Sequence, residues 1–500
     1  MDPIGYEFLC ASLAASAFPV RRPARVRPVS KVMDKGDLLA VPRHVAPQGT
    51  DPLSHLLFAL KHEGTNLAIL AQSLAKLDPG TLLTALRQAP NGGYIRTACF
   101  LWERLNGKTL TDLPAIGGPV VDVFDPEQYV TGHAQRDMKW RVNFNGLGST
   151  AYCATVQRSA AVQAGIQADV LSQVNTFLGS LQPALMDRAL AWAYLHETEG
   201  SFAIERESPD EDKARSFVSL LQQAHEGRPV SEAYLVELQS SAVTNPYSKA
   251  VQFRTEQNWL RGPARGAAGI TYLPPAPDLA HALMDEWMAF ANQAPRWPTL
   301  DPIVAASVAS FGLVYIHPFM DGNGRLSRFM FHQVLCQSKR LASGLILPVS
   351  IAMKRHEDDY LQTLKAFSVP ARERWKVRWI DEGRYAFEFT GDASIYRYWD
   401  ATACVEFGFR MAQQALDVEL HQETDFLRRY DDLYRQINDR YDVQANDLAD
   451  LILMCLQNDG MVSKNRRKQF AGRVPQGLFE YLEKRAKAGR GGDASQRENG

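Results

Sequence analysis

The sequence is poor in cysteine, in long apolar runs and in any excess of one charge. Its six cysteines, Cys10, Cys99, Cys153, Cys336, Cys404 and Cys455, are scattered and never form a C-x-x-C pair. That argues against a zinc site or a disulfide framework and fits a reducing compartment. No apolar run approaches the roughly 20 residues that a membrane helix needs. Met1-Asp2 opens no positively charged segment of the kind that begins a secretory signal. The chain is therefore read as soluble and cytoplasmic, with no membrane partner. Charge is balanced at 55 basic and 56 acidic residues, a net of -1, so no global field advertises nucleic acid and any basic surface is local. With 500 residues, the chain is long enough for roughly three domains of about 100 to 200 residues each.

What is present divides the chain. Residues 1–50 mix a short helical pattern with Arg21, Arg22, Arg25, Arg27 and several prolines, which predicts a flexible, solvated segment. Residues 51–150 predict helices, with Leu53, Leu56, Leu57 and Leu60 on one face and Ile69, Leu70, Leu74 and Leu77 on another, followed by a mixed stretch with a short strand near Val121. A central unit spans residues 160–370, and residues 371–445 read as a helical extension that covers the core or forms a homodimer face. Residues 446–489 carry an apolar helix, the bases Lys464, Arg466, Arg467 and Lys468, and a last helix ending in Lys484, Arg485 and Lys487. This order is similar to a helix-turn-helix module and makes DNA an alternative partner. Residues 490–500 are polar and glycine-rich, and are expected to be disordered.

The chemistry concentrates in His317-Pro318-Phe319-Met320-Asp321-Gly322-Asn323-Gly324-Arg325-Leu326-Ser327-Arg328. Val304, Val308, Phe311 and Tyr315 before it, and Leu326, Phe329, Met330 and Val334 after it, recur at helical spacing. A helix, a loop and a second helix are expected. Pro318 cannot continue the first helix. Gly322 and Gly324 let the backbone turn so that free N–H groups converge just before the second, making an anion nest. A neutral His317 can take a proton from a hydroxyl, Asp321 can hold Mg²⁺ through oxygen, and Arg325 and Arg328 can grip phosphate oxygens. Together these describe phosphoryl or nucleotidyl transfer.

The loop also resembles, without a gap, the Fic family signature His-Pro-Phe-x-(Asp or Glu)-Gly-Asn-Gly-Arg-x-x-Arg. The resemblance implies a mainly α fold, with a helical core, a short β-hairpin flap and flanking helical modules. It also implies transfer of AMP from ATP, with Mg²⁺, to a Ser, Thr or Tyr hydroxyl of a target protein. His317 would be the base, Asp321 the metal ligand, and Asn323 with the glycine amides the phosphate cradle.

The same resemblance gives roles to three further stretches. Ser201 and Glu205 match the start of the pattern (Ser or Thr)-x-x-x-Glu-(Gly or Asn) of a self-inhibitory helix, and they lie one helical turn apart on one face. Glu205 is expected to pair with Arg328 and so hold ATP in an unproductive pose, while Arg206 departs from the Gly or Asn of the pattern. Asn258, Trp259, Leu260 and Arg261, followed by residues 269–275, suggest a hairpin similar to the flap that clamps the target by backbone pairing. Tyr360, with Phe367 nearby, matches the aromatic that lines the adenine pocket.

The function expected from the sequence is thus a protein adenylyltransferase restrained by Glu205, with self-modification as a further outcome. The alternatives are removal of AMP, transfer of another nucleotide or phosphodiester through the same cradle, and a DNA-binding regulator with an accessory Fic core.

Overall fold

Helices dominate the architecture, and no sheet among the described residues has more than three strands. The computed structural model describes residues 3–381 and 384–494. Among them, no helix is long and apolar enough to cross a membrane.

Residues 3–50 are folded, against expectation. Helix α1 (Gly5–Ser12) is followed by strands β1 (Ala24–Val26), β2 (Met33–Asp34) and β3 (Leu39–Val41), in the order β1-β3-β2. Tyr6, Leu9, Ala24, Leu39 and Val41 are buried, while Arg22 pairs with Asp34 and Arg25 with Glu7. Arg22 and Arg25 are half-buried ion-pair partners over a small core, a distinction that charge and proline content alone do not draw.

Helices α2 (Pro52–His62), α3 (Leu67–Lys76), α4 (Pro79–Gln88) and α5 (Gly93–Asn106) come next. The first three start where the side chains of Asp51, Asn66 and Asp78 accept backbone N–H groups, and α2 and α4 place Pro at the first helical position. Three short strands follow, β4 (Val121–Asp122), β5 (Gln135–Asp137) and β6 (Val142–Phe144), and then β7 (Leu147–Gly148) and β8 (Cys153–Thr155).

The central unit holds α6 (Ala160–Ala168), α7 (Val170–Gly179), α8 (Pro183–Ile204), α9 (Glu211–Gln223) and α10 (Glu232–Ala242), and then a hairpin of β9 (Leu260–Arg261) and β10 (Ile270–Tyr272). Helices α11 (Pro277–Gln293), α12 (Pro302–Ile316), α13 (Asn323–Gln337), α14 (Val349–Arg355) and α15 (Glu357–Arg372) complete it. Nearly every residue of α12 is buried, as expected of a helix that is apolar all round. It is the axis on which the loop after it is mounted.

The expected helical extension begins instead as a β-hairpin, β11 (Trp375–Asp381) with β12 (Arg384–Phe389). Trp375, Val377 and Trp379 alternate, as do Tyr385, Phe387 and Phe389. This period of two with aromatic and β-branched residues favours strands. A short helix α16 (Ser394–Arg397) leads to β13 (Tyr398–Asp400), which pairs in parallel with β8 and so ties this region back to the stretch just before the central unit. Helix α17 (Thr402–Gln414) runs through a π-helical turn (Ala415–Leu420) into α18 (His421–Asn438). The C-terminal helices α19 (Ala445–Gln457), α20 (Lys464–Phe470) and α21 (Gln476–Ala494) pack around Leu448, Leu451, Phe470, Leu478 and Leu482. Helix α21 extends into the stretch expected to be disordered, whose remainder, residues 495–500, lies outside the described residues.

Candidate active site

The loop between α12 and α13 is shaped by two left-handed residues. His317 caps α12 at φ 54° and Gly322 precedes α13 at φ 85°. A histidine in that region is uncommon and strained, a condition that clusters at functional sites. Around this turn, Asn323 accepts from the Phe319 N–H at 3.0 Å and donates to the Phe319 carbonyl at 2.8 Å. The side chain of Asn323 therefore braces the loop, and what it offers a phosphate is its own backbone N–H at the start of α13. Ser327 donates back to the Gly324 carbonyl, and Leu326 is packed in the core.

His317 is buried, and its Nδ1 lies 3.1 Å from the Val314 carbonyl. That contact requires the proton on Nδ1, which leaves the Nε2 lone pair as the basic site. Burial pushes the His317 pKa down to about 4, so the ring is neutral at physiological pH. Asp321 Oδ1 accepts from Gly322 N at 2.6 Å and lies 3.4 Å from Arg325 Nη2, while its side chain remains 42 % exposed. Arg325 and Arg328 are each about 1 % exposed.

Both guanidiniums are engaged from the end of α8. Arg328 donates through Nε to Ser201 Oγ at 2.9 Å, and through Nη2 to the Ser201 carbonyl and to Glu205 Oε1, each at 2.8 Å. Arg325 Nη1 donates to Glu207 Oε2 at 2.7 Å and lies 3.3 Å from Thr244 Oγ1. The Glu205 carboxylate also covers the first turn of α13. A Cβ built on Gly324 would sit 2.1 Å from Glu205 Oε1, so only glycine permits this approach. No side chain caps α13, so the carboxylate takes the place that an anion would take at a helix N-terminus. Burial alone would raise the Glu205 pKa, but the Arg328 and Arg325 guanidiniums outweigh it and hold the carboxyl below its usual range.

The end of α8 explains the pattern that Arg206 breaks. Glu207 N bonds the Phe202 carbonyl and Arg206 N the Ala203 carbonyl, the two bonds of a Schellman motif. Arg206 occupies its left-handed position at φ 60°, where Gly or Asn is favoured.

Of the remaining predicted residues, Asn258 donates to the Phe319 carbonyl at 2.9 Å and so joins the flap to the loop, while Trp259 packs at the base of the hairpin. Leu260 and Arg261 form β9. Tyr360 is buried against Phe311 and Phe407, with its hydroxyl facing Arg328 and Glu205.

Sequence reading did not single out Arg254, Gln239 or Glu207. Buried Arg254 donates to the carbonyls of His317, Glu256 and Pro275, and its backbone N–H to Pro318. Gln239 donates to the Asp321 carbonyl at 3.1 Å. These residues hold the back of the loop from distant positions, and no local pattern signals that.

Residues 229–335 match the model of the Fic/DOC family. Over 114 residues, the chain is 31 % identical to a protein named protein adenylyltransferase Fic in Drosophila melanogaster, covering 23 % of this chain and 20 % of that one. The protein of the same name in Aedes aegypti is 29 % identical over 114 residues, covering 23 % and 19 %. The chain thus spans about a fifth of the length of the curated relatives it matches. Among solved structures, a Fic family protein from Desulfovibrio desulfuricans is similar with a TM-score of 0.38 and 17 % identity over 65 % of this chain and 87 % of that one. A Fic domain containing signaling protein from Bacteroides thetaiotaomicron has a TM-score of 0.34 and 15 % identity over 51 % and 96 %.

Proposed function

From the premise that residues 229–335 form a Fic/DOC family domain, we propose that the protein transfers AMP from ATP to a hydroxyl side chain of a target protein, and that Glu205 restrains it. The observation that carries this reading is the meeting of a neutral His317, an uncapped helix N-terminus and two buried guanidiniums at one loop.

The target hydroxyl attacks the α-phosphorus of ATP, and its proton passes to His317 Nε2. A new O–P bond forms while the bond to the β-phosphate breaks, releasing pyrophosphate. The first N–H groups of α13 and the guanidiniums of Arg325 and Arg328 meet the phosphate charge. Asp321 suits Mg²⁺, a hard cation commonly held by one or two carboxylates together with substrate phosphates; when bound it neutralises phosphate charge. Among the described residues the buried Arg328 Nη1 makes no hydrogen bond of good geometry, with the Tyr360 hydroxyl facing the guanidinium, as suits a donor that can turn to a phosphate oxygen. With Glu205 in place, Arg328 and the cradle are already occupied by a carboxylate, and the γ-phosphate is excluded from its productive position.

Incubation with labelled ATP and Mg²⁺ tests both halves. Label on protein that appears with Glu205→Gly and vanishes when His317→Ala is added supports them. No label in any variant overturns the transfer reading. Label in the wild type that Glu205→Gly does not increase removes the restraint alone.

A second reading, contact with DNA, is favoured by the exposure of Lys464, Arg466 and Lys468 on α20 and of Lys484, Arg485 and Lys487 on α21. Binding to duplex DNA that weakens steeply with salt supports it.

A further inference from the structure

We propose that the β11–β12 hairpin extends the flap into a docking platform for the target, and that the segment docked there is extended, with an acidic and an aromatic residue beyond its hydroxyl-bearing side chain. This rests on the transfer reading above.

Three observations carry it. The first is an open strand edge. The flap sheet has two strands, and β9 pairs with β10 alone, so among the described residues its outer edge is free to pair with an added strand.

The second is the way the second hairpin continues the flap. Ile270 and Leu273 share a cluster with Trp375, against which Trp259, Val377, Tyr385, Phe387 and Phe389 pack. The Trp259 ring lies 5.2 Å from Phe387 and 5.7 Å from Tyr385. Arg372, at the end of α15, donates through Nε to the Ile270 carbonyl at 2.8 Å and through Nη1 to the Trp375 carbonyl at 2.9 Å, and so ties the two hairpins together. Along this face of β11 the side chains run from buried Trp375 through Val377 to Trp379, which is paired with Tyr385 and is 57 % exposed. Leu260 on the flap is 42 % exposed. The row therefore ends in apolar surface that the fold leaves uncovered next to a free strand edge. A Trp in such a place is the kind of anchor that dominates binding.

The third is charge. On the hairpin, Lys376 pairs with Glu388 and Arg384 with Asp381. On the flap, Arg261 bonds the Tyr385 hydroxyl at 3.0 Å, and among the described residues neither Arg261 nor exposed Arg265 meets a carboxylate. The positive charge left open thus lies beside Trp379 and the free edge, which selects an acidic residue on the partner.

The test uses three fluorescent 12-residue peptides, each with a central Thr in a Val-rich extended frame. Their downstream flanks carry Asp and Phe, Lys and Phe, or Asp and Ser. Anisotropy with the full chain bearing Glu205→Gly is expected to show the Asp and Phe peptide binding about ten-fold more tightly than the other two, and Trp379→Ser or Arg261→Glu removing that preference. Because Trp379 is exposed, Trp379→Ser should leave the melting temperature unchanged. Equal binding of the three peptides, no binding, or a preference that survives Trp379→Ser overturns the proposal. Preferential binding without transfer of label to the peptide would leave the platform standing and count against the transfer reading instead.

Discussion

Glu207 Oε2 lies 2.7 Å from Arg325 Nη1, just as Glu205 Oε1 lies 2.8 Å from Arg328 Nη2, so that both buried guanidiniums of α13 are held from the same helix end. The two pairs are not equivalent. Glu205 also covers Gly324, whereas Glu207 shares its carboxylate with Thr244.

Glu205→Gly is therefore expected to raise labelling at least ten-fold, and Glu207→Gln alone only a few-fold. The double variant should exceed Glu205→Gly, with a coupling of about 0.5 to 1 kcal/mol because the two pairs share α8 and α13. Initial rates of label incorporation measure this. A double variant no faster than Glu205→Gly would make Glu207 a structural partner of Arg325 only.

Removing Glu205 leaves the Arg328 charge buried, with the two Ser201 bonds and the Tyr360 hydroxyl beside it but no paired carboxylate among the described residues. Breaking a buried pair from one side destabilises by about 3 to 5 kcal/mol, and the two bonds to Ser201 place Glu205→Gly near about 3 kcal/mol. Mg²⁺-ATP at about 100 times its dissociation constant should restore about 2.7 kcal/mol, and the wild type should gain less. Chemical denaturation with and without nucleotide checks both values.

Burial lowers the His317 pKa from an ordinary 6.5 to about 4. Between those values the folded chain binds fewer protons than the unfolded chain, so stability falls as pH drops through the window, by about 3 kcal/mol from this group. His317→Gln should lose that part of the slope between pH 6.5 and 4 in paired denaturation series. In the Glu205→Gly background, the acid limb of kcat/KM is expected nearer pH 4 than 6.5, since that ratio reports the free enzyme.

Arg206→Gly relieves a left-handed residue at the Schellman position. It should stabilise the chain by about 1 kcal/mol and lower basal labelling by holding Glu205 and Glu207 more firmly in place. A rise in melting temperature together with reduced labelling is the expected pair of results. An unchanged temperature would mean that Arg206 bears no strain.

The loop was legible because its chemistry is contiguous: twelve neighbouring residues supply the base, the carboxylate, the turn and both guanidiniums. The helices on either side were legible from their apolar spacing, whereas Ser201 and Glu205 stood out only through their resemblance to the inhibitory-helix pattern; their spacing of four alone would fit any helix end. The β11–β12 hairpin was also written in alternating Trp375, Val377 and Trp379, but its position between helical patterns hid it. The small folded core of residues 4–46 was missed because it is held by contacts to Phe58, Glu63 and neighbouring residues rather than by its own periodicity.

Local order along the chain thus determined which titratable and charged groups the loop carries. Only the packing of α8 on α13 decided which carboxylate meets which guanidinium, because a contact across more than a hundred residues depends on how two helix faces come together. The same holds for Arg254, whose bonds to the loop carbonyls come from 63 positions away along the chain. Spacing identifies residues that share one element, whereas tertiary structure alone sets distances between elements, and it is those distances that fix whether Arg328 is held by Glu205 or left open to a phosphate.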